Sequence, residues 1–209
     1  MADTTTSFST RTHLLDAALE LIRQKGYADT SIDDLCRHAG VTKGSFFHHF
    51  ASKEELGIAA AQHFADMADR LFGNAPYRQL PDPVDRLLGY VDLRIQILQG
   101  PVHHYTCLLG TLVQELHQTH PAIRAACDRH MSAHIAELAR DAAAAREKYA
   151  PDAPWTPQSL ALHMQAVIQG ALIFAKARQD PQAAVEPLQH LRRYLELLFD
   201  RQTSNDKEI

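Results

Sequence analysis

Between Leu35 and Lys53 the chain has no aspartate or glutamate, yet it carries Arg37, Lys43 and Lys53 with His38, His48 and His49. A locally positive stretch of this kind suits the phosphates of nucleic acid, because affinity for a duplex comes largely from neutralised phosphates. The whole chain is acidic, with a net charge of −4, and the nearby acids gather at Asp16, Glu20, Asp29, Asp33 and Asp34. A groove-docking helix needs a local field, and an acidic remainder discourages indiscriminate binding. Two further groupings are chemically suggestive. Cys107 has His103 one helical turn before it and His104 close by, and an imidazolium beside a thiol lowers its pKa and makes it reactive. Against that, a buried cysteine is commonly just a small apolar side chain. Cys127, His130 and His134 share a helical face near His117 and His120, a spacing compatible with metal ligation. With thirteen histidines in 209 residues such spacings arise by coincidence, so neither a metal nor a cofactor is expected.

The elements that must position the basic stretch are short. Thr30 with Asp33 resembles a capping box, and Ile32, Leu35, Cys36 and Ala39 then follow at helical spacing. Gly40 sits where that helix stops, since glycine takes a left-handed backbone cheaply. Thr42 caps a second short helix, and Ser52 with Glu55 opens a third. Two short helices joined by such a turn are a helix-turn-helix, which places the N-terminal residues of its second helix against base edges in the major groove. Lys43 and Ser45 are thus the candidates for base contact, with Gly44 allowing close backbone approach. Thr30 and Thr42 would offer hydroxyls and helix-N-terminal amides to phosphates, while His48, His49 and Lys53 would add phosphate contacts at the far end. Phe46 and Phe50 are expected in the core. Phe47 is open between core and a thymine-methyl contact.

Order and spacing resemble the TetR family of transcriptional regulators. Its pattern is close to Thr-x-x-x-Ile-Ala, then Ala-Gly-Val-Ser-Lys-Gly-Thr-Leu-Tyr-Tyr-His-Phe, then x-Ser-Lys-Glu-Glu-Leu. The counterparts run without a gap from Ala39-Gly40-Val41-Thr42-Lys43-Gly44-Ser45-Phe46-Phe47-His48-His49-Phe50 to Ser52-Lys53-Glu54-Glu55-Leu56. Phe47 departs from the Tyr usual there, which removes a phosphate-contacting hydroxyl, and Ala51 replaces a residue that is often basic. Beyond Leu56 the likeness is one of architecture. The resemblance implies a ligand pocket among the middle helices, lined from Met67, Tyr90, Leu93, Ile97, His104, Cys107, Leu108, Thr111, His130, Met131, His134, Met164 and Gln165, which takes a mostly apolar small-molecule inducer.

Helical periodicity extends along the rest of the chain, so the fold class is all-α, with about nine helices. Residues 1 to about 8 are polar and read as disordered, and a first helix from about Ser9 to Lys25 ends at Gly26. A helix over 52–72 places Leu56, Ala60, Phe64, Met67 and Leu71 on one stripe. Gly73, Asn74, Pro76, Pro81 and Pro83 then crowd a link. Further helices are expected from Pro83 to about Gln99, around Cys107 to His117, from Pro121 to Tyr149, from Thr156, and up to about Arg201, with Pro187 delaying the regular part of the last. These divide into a helix-turn-helix domain over 1–56 and a ligand-binding and dimerisation domain over 57–209, linked by the 52–72 helix.

One groove-docking helix reads too few base pairs to find a site in a genome, so a homodimer on a double-stranded, palindromic operator is expected. The last two helices are apolar enough to form its interface as an antiparallel four-helix bundle, through Leu160, Met164, Val167, Ile168, Ala171, Phe174, Leu191, Leu195 and Leu198. The chain shows no charged-then-apolar leader, no uninterrupted apolar run of membrane-spanning length and no disulfide framework among Cys36, Cys107 and Cys127, which places it in the cytoplasm with no membrane partner. No phosphate loop, nucleophile motif or paired-carboxylate arrangement points to an enzyme. The reading is a ligand-responsive DNA-binding regulator, a repressor released by an inducer or by modification of Cys107. The alternative is a helical small-molecule-binding or redox-sensing protein without specific DNA regulation.

Overall fold

Helix boundaries follow local capping chemistry through most of the chain. The computed structural model describes residues 3–201, and these contain ten α-helices, one 3-10 turn and no strand. In order they are α1 (Asp3–Lys25), α2 (Ile32–Ala39), α3 (Lys43–His49), α4 (Lys53–Gly73), the 3-10 turn Pro76–Gln79, α5 (Pro83–Gln96), α6 (Val102–Tyr105), α7 (Leu108–Leu116), α8 (Pro121–Tyr149), α9 (Pro157–Arg178) and α10 (Gln182–Leu198). Helix α1 begins at Asp3 rather than Ser9, since extending a formed helix gains one hydrogen bond per residue fixed. Residues 1 and 2 of the expected disordered segment lie outside the described residues. The short α6 and the 3-10 turn lack a periodic signal, and α5 ends at Gln96 rather than Gln99. Helix α10 starts ahead of Pro187 and absorbs it, at the loss of one ladder bond.

The described residues divide into two compact units that do not follow chain order: 3–69 with 106–131, and 70–105 with 132–201. Helices α4 and α8 each continue from one into the other. In the first unit, Leu14, Ala18 and Ile22 of α1 share a core with Leu35, Phe46, Phe50 and Leu56, and also with Leu108, Leu112, Leu116, Ile123 and Cys127 from far along the chain. On α4 the buried row is Leu56, Ala60, Ala61, Ala65 and Phe72, while Met67 and Leu71 are exposed. The expected α4 stripe therefore fails at its C-terminal end, because Ala65 and Phe72 take the inward side.

In the second unit, Val84, Leu87 and Val91 of α5 are buried, as are Leu138 and Ala142 of α8, and α10 packs on both α9 and α5. Buried Asp141 accepts from Arg86 Nε at 2.7 Å and from Arg78 at 3.3 Å. Asp82 caps α5 through the Val84 amide. Burial alone would raise its pKa, but bonds from Lys148, Tyr149, Val84 and Arg201 hold it well below the usual carboxylate range.

Most of the residues expected at a dimer interface face this core instead. Leu160, Met164, Ile168, Ala171, Leu191 and Leu195 are buried within the protomer, and Val167 and Leu198 are half-buried. Only Phe174 among them is exposed, at 57%. A helix apolar all round gives periodicity no means to tell its inner row from its outer one. The outer row is Leu162, Ile173 and Phe174 on α9 with Tyr194 and Leu197 on α10, Leu197 being 82% exposed. By length and mean hydropathy α9 would be long and apolar enough to cross a membrane, although it is not an uninterrupted apolar run. Its inner row is nevertheless buried against its own unit, and Gln158, His163, Gln165 and Gln169 interrupt it.

Candidate nucleic-acid interface

The second helix of the helix-turn-helix is seated by a few local bonds. Helix α2 is capped by Ser31, whose side chain accepts from the Asp34 amide while the Asp34 carboxylate accepts from Ser31 N–H. The capping box thus lies one residue after the expected Thr30 and Asp33. Gly40 ends the helix in the left-handed region (φ 66°, ψ 34°), with its N–H turned to the carbonyls of Arg37 and Cys36. Thr42 caps α3 through the Ser45 amide at 3.1 Å. Ser52 caps α4 through the Glu55 amide, but the Glu55 carboxylate reaches Ala51 N–H, so that box is only half-formed.

Phe46 and Phe50 are fully buried beneath α3, whereas Phe47 is 54% exposed. Its ring meets Phe46 edge-on at 5.2 Å and otherwise faces out, so it is a surface residue. Thr42, Lys43, Gly44 and His48 are exposed, with Ser45 and His49 half-buried. A Cβ on Gly44 would meet only Thr42 Oγ1, at 3.6 Å, so the fold itself does not demand glycine there. Lys43 Nζ rests 2.7 Å from Asp33 Oδ1 with both side chains more than half exposed. Such a pair is worth little in water and exchanges readily for another anion. His48 and His49 stack edge-on at 4.9 Å, and desolvation, then His48 and Arg11, lowers the pKa of His49.

Two expected phosphate-contacting side chains are engaged inside the protein. Thr30 is 1% exposed, and its hydroxyl donates to the Gly26 carbonyl at 2.6 Å. Lys53 Nζ donates to the carbonyls of Tyr27 (2.8 Å) and Thr30 (2.9 Å) and lies 4.2 Å from the centre of the Tyr27 ring. It fastens the start of α4 to the α1–α2 turn. The same turn is held from the other side by Glu115 of α7, whose oxygens accept from the amides of Tyr27 (2.7 Å) and Ala28 (2.6 Å). Sequence spacing gives no sign of Glu115, because the bond joins positions far apart in the chain.

Cys107 is half-buried and caps α7, its sulfur accepting from the Gly110 amide at 3.4 Å. The expected partners His103 and His104 belong to the other compact unit. The cation bearing on the thiol is Arg23, whose pKa burial lowers and whose charge Cys107 helps to sustain. Cys127 is fully buried, and desolvation followed by Cys107 pushes its thiol up to about 12.

Of the expected pocket residues, the structure brings Tyr90, His134 and Gln165 together around the Tyr90 hydroxyl. Leu108 and Met164 are core residues, while Met67 and His104 are exposed. Leu93, Ile97, Thr111, His130 and Met131 are half-buried. His134 is pushed down to about 3, chiefly by burial, with repulsion from Arg94 and Arg78 added. The folded chain keeps this imidazole neutral, whereas the unfolded chain takes up a proton below about 6.5. Its contribution to stability is present above that value and is lost as pH falls toward the folded value, about 2 kcal/mol by pH 5. Thermal melts at pH 7.5 and pH 5 should show a smaller acid-induced drop for His134→Gln than for wild type, and equal drops would rule out this imidazole as the cause.

Residues 14–60 match the model for bacterial regulatory proteins of the tetR family, and residues 83–191 match the tetracyclin repressor-like C-terminal domain. The HTH-type transcriptional repressor NemR of Escherichia coli (strain K12) is 30% identical over 196 residues, spanning 90% of this chain and 94% of that protein. The transcriptional regulator AcuR of Cereibacter sphaeroides is 30% identical over 173 residues, spanning 80% and 78%. The reduced form of Escherichia coli NemR superposes with a TM-score of 0.74 at 28% identity, covering 90% of this chain and 96% of that one. A TetR transcriptional regulator from Chloroflexus aurantiacus shares the fold, with a TM-score of 0.81 at 22% identity over 92% and 96% of the two chains. With its helix-turn-helix intact and both halves of the chain matched, this protein belongs to the TetR family of DNA-binding transcriptional regulators.

Proposed function

We propose that the protein is a homodimeric repressor that holds a palindromic operator through the exposed opening turn of α3 and releases it on binding an inducer or on modification of Cys107. The carrying observation is the orientation of α3, which buries Phe46 and Phe50 while leaving Thr42, Lys43, Gly44 and Phe47 outward. Lys43 and Ser45 read base edges, Thr42 and His48 meet phosphates, and Phe47 packs on a thymine methyl. Release of Lys43 from Asp33 on docking exchanges one weak surface pair for a phosphate or base contact. Retardation of the protein's own upstream DNA should be specific and salt-sensitive, and Lys43→Ala should weaken it by about tenfold or more. Unchanged affinity in the variant removes Lys43 from the interface, and no retardation at low salt removes the regulatory reading.

Family members act as dimers, and the exposed row on α9 and α10 supports a four-helix interface here. That interface covers the apolar face of α9, which fits a cytoplasmic protein with no membrane partner. The Cys107 route runs along α7. A substituent on Sγ removes the cap on Gly110 at one end of the helix, while Glu115 near the other holds the α1–α2 turn. A displaced α7 therefore loosens the base of the reading motif. Cys107→Ser retains a capping atom and should keep operator binding while losing release by an electrophile such as N-ethylmaleimide. Release that survives the substitution sinks the covalent route and leaves reversible binding.

A further inference from the structure

The Tyr90 hydroxyl collects more hydrogen-bond donors than it can accept. Arg94 directs Nε to it at 2.9 Å and Nη2 at 2.8 Å, and Gln165 Nε2 lies at 2.6 Å. A phenol oxygen has two lone pairs and one proton. That proton goes to His134 Nε2, 2.8 Å away. The same nitrogen faces Arg94 Nη2 at 3.4 Å, and because a guanidinium only donates, Nε2 is the unprotonated nitrogen and Nδ1 carries the hydrogen. Arg94 and Gln165 together thus aim three N–H donors at one oxygen that has two lone pairs.

Arg94 is half-buried and, among the described residues, has no carboxylate partner. Other arginines of the same unit do: Arg78 and Arg86 share Asp141, Arg192 meets Asp92, and Arg201 meets Asp82. A guanidinium cannot shed its charge, so a half-buried one without an anion is electrostatically incomplete. The rings of Phe72 and Tyr90, with centres 4.2 and 5.2 Å from its central carbon, offset this in part. Tyr77 adds a buried hydroxyl with no partner among the described residues; its ring lies edge-on to Tyr90 at 6.1 Å, and Gly89 leaves room for its Cβ, which a Cβ at position 89 would approach to 2.5 Å.

We propose that Arg94, with Gln165 and Tyr90, is the recognition site for the carboxylate of a small, otherwise apolar organic acid, and that this anion is the effector. The inference rests on the reading of the protein as an effector-controlled regulator and names the chemical class of that effector. A carboxylate supplies up to four acceptor positions where the cluster has one shared oxygen, and it matches the guanidinium fork in a bidentate pair. One cation free of a carboxylate fits a monoanion better than a phosphate dianion. Phe72 and Tyr77 fit an aryl or alkyl body rather than a sugar.

The test is calorimetric titration of the full-length, DNA-free protein with benzoate and hexanoate, each against its neutral amide. Both acids should bind at least about tenfold more tightly than benzamide and hexanamide. Arg94→Met should abolish the preference for acid over amide, and Arg94→Lys should restore part of it, since lysine keeps the charge without the fork. Equal affinity for acid and amide, absence of acid binding up to about 10 mM, or an unchanged preference in a folded Arg94→Met would each overturn the proposal. The acid–amide comparison on the wild-type protein decides the matter even if that variant does not fold. DNA retardation is read separately, so a protein that binds the acids but no operator would overturn the regulatory reading and leave the anion site standing.

Discussion

Phe46→Ala should lower stability by about 3–5 kcal/mol, enough to lower the melting temperature by about 10 °C. Its ring is fully buried in the core of the first unit, 5.8 Å from that of Phe50 and among the side chains that join α1, α2, α3 and α7. Truncation leaves a ring-sized void under a helix of only seven residues, which has little stability of its own to resist collapse. The adjacent Phe47→Ala should behave oppositely. With its ring mostly in water, its loss should change stability by no more than about 0.5 kcal/mol while weakening operator retention. Circular-dichroism melts of the two variants, paired with retardation at fixed salt, separate these roles. A Phe47→Ala protein that melts as early as Phe46→Ala would show that both rings serve the core.

Phe174→Asp combined with Leu197→Asp should convert the protein to a monomer at micromolar concentration and abolish operator retention. Each exposed side chain, once covered by a second copy, contributes about 1.5–3 kcal/mol of apolar burial, and two-fold symmetry makes every substitution count twice. Facing carboxylates would add repulsion at the centre of the interface. The protomer itself should tolerate both changes, because neither residue belongs to its own core. Sedimentation velocity reads the mass directly. A variant that still sediments as a dimer places the interface elsewhere than the outer row of α9 and α10.

What the sequence could reveal was what depends on near neighbours. Gly40, the Thr42 cap and the apolar row of α2 are spaced by single turns, and the helix-turn-helix follows from them almost residue by residue. The inward bonds of Thr30 to Gly26, and of Lys53 to the carbonyls of Tyr27 and Thr30, were not legible, because they depend on how the turn folds back. The outer row of α9 was hidden by composition, since a helix apolar on every side does not mark its exposed face. The family resemblance points to Tyr90, His134 and Gln165 as pocket residues but not to Arg94, which completes the cluster. Its spacing of one turn from Tyr90 was visible, whereas its want of a counter-charge emerges only when α5, α8 and α9 are assembled.

The grip of Glu115 on the Tyr27 and Ala28 amides bears on how such regulators can be recombined. The reading motif is not a detachable cassette. A graft cut soon after Leu56 would carry the motif away from Glu115, which secures its first turn, and from Leu108, Leu112 and Leu116, which complete its core. Those residues lie on the helix that Cys107 caps. Inheritance of the head alone would therefore separate it from its support and from the Cys107 route proposed above, so head, α7 and the start of α8 form the smallest exchangeable part.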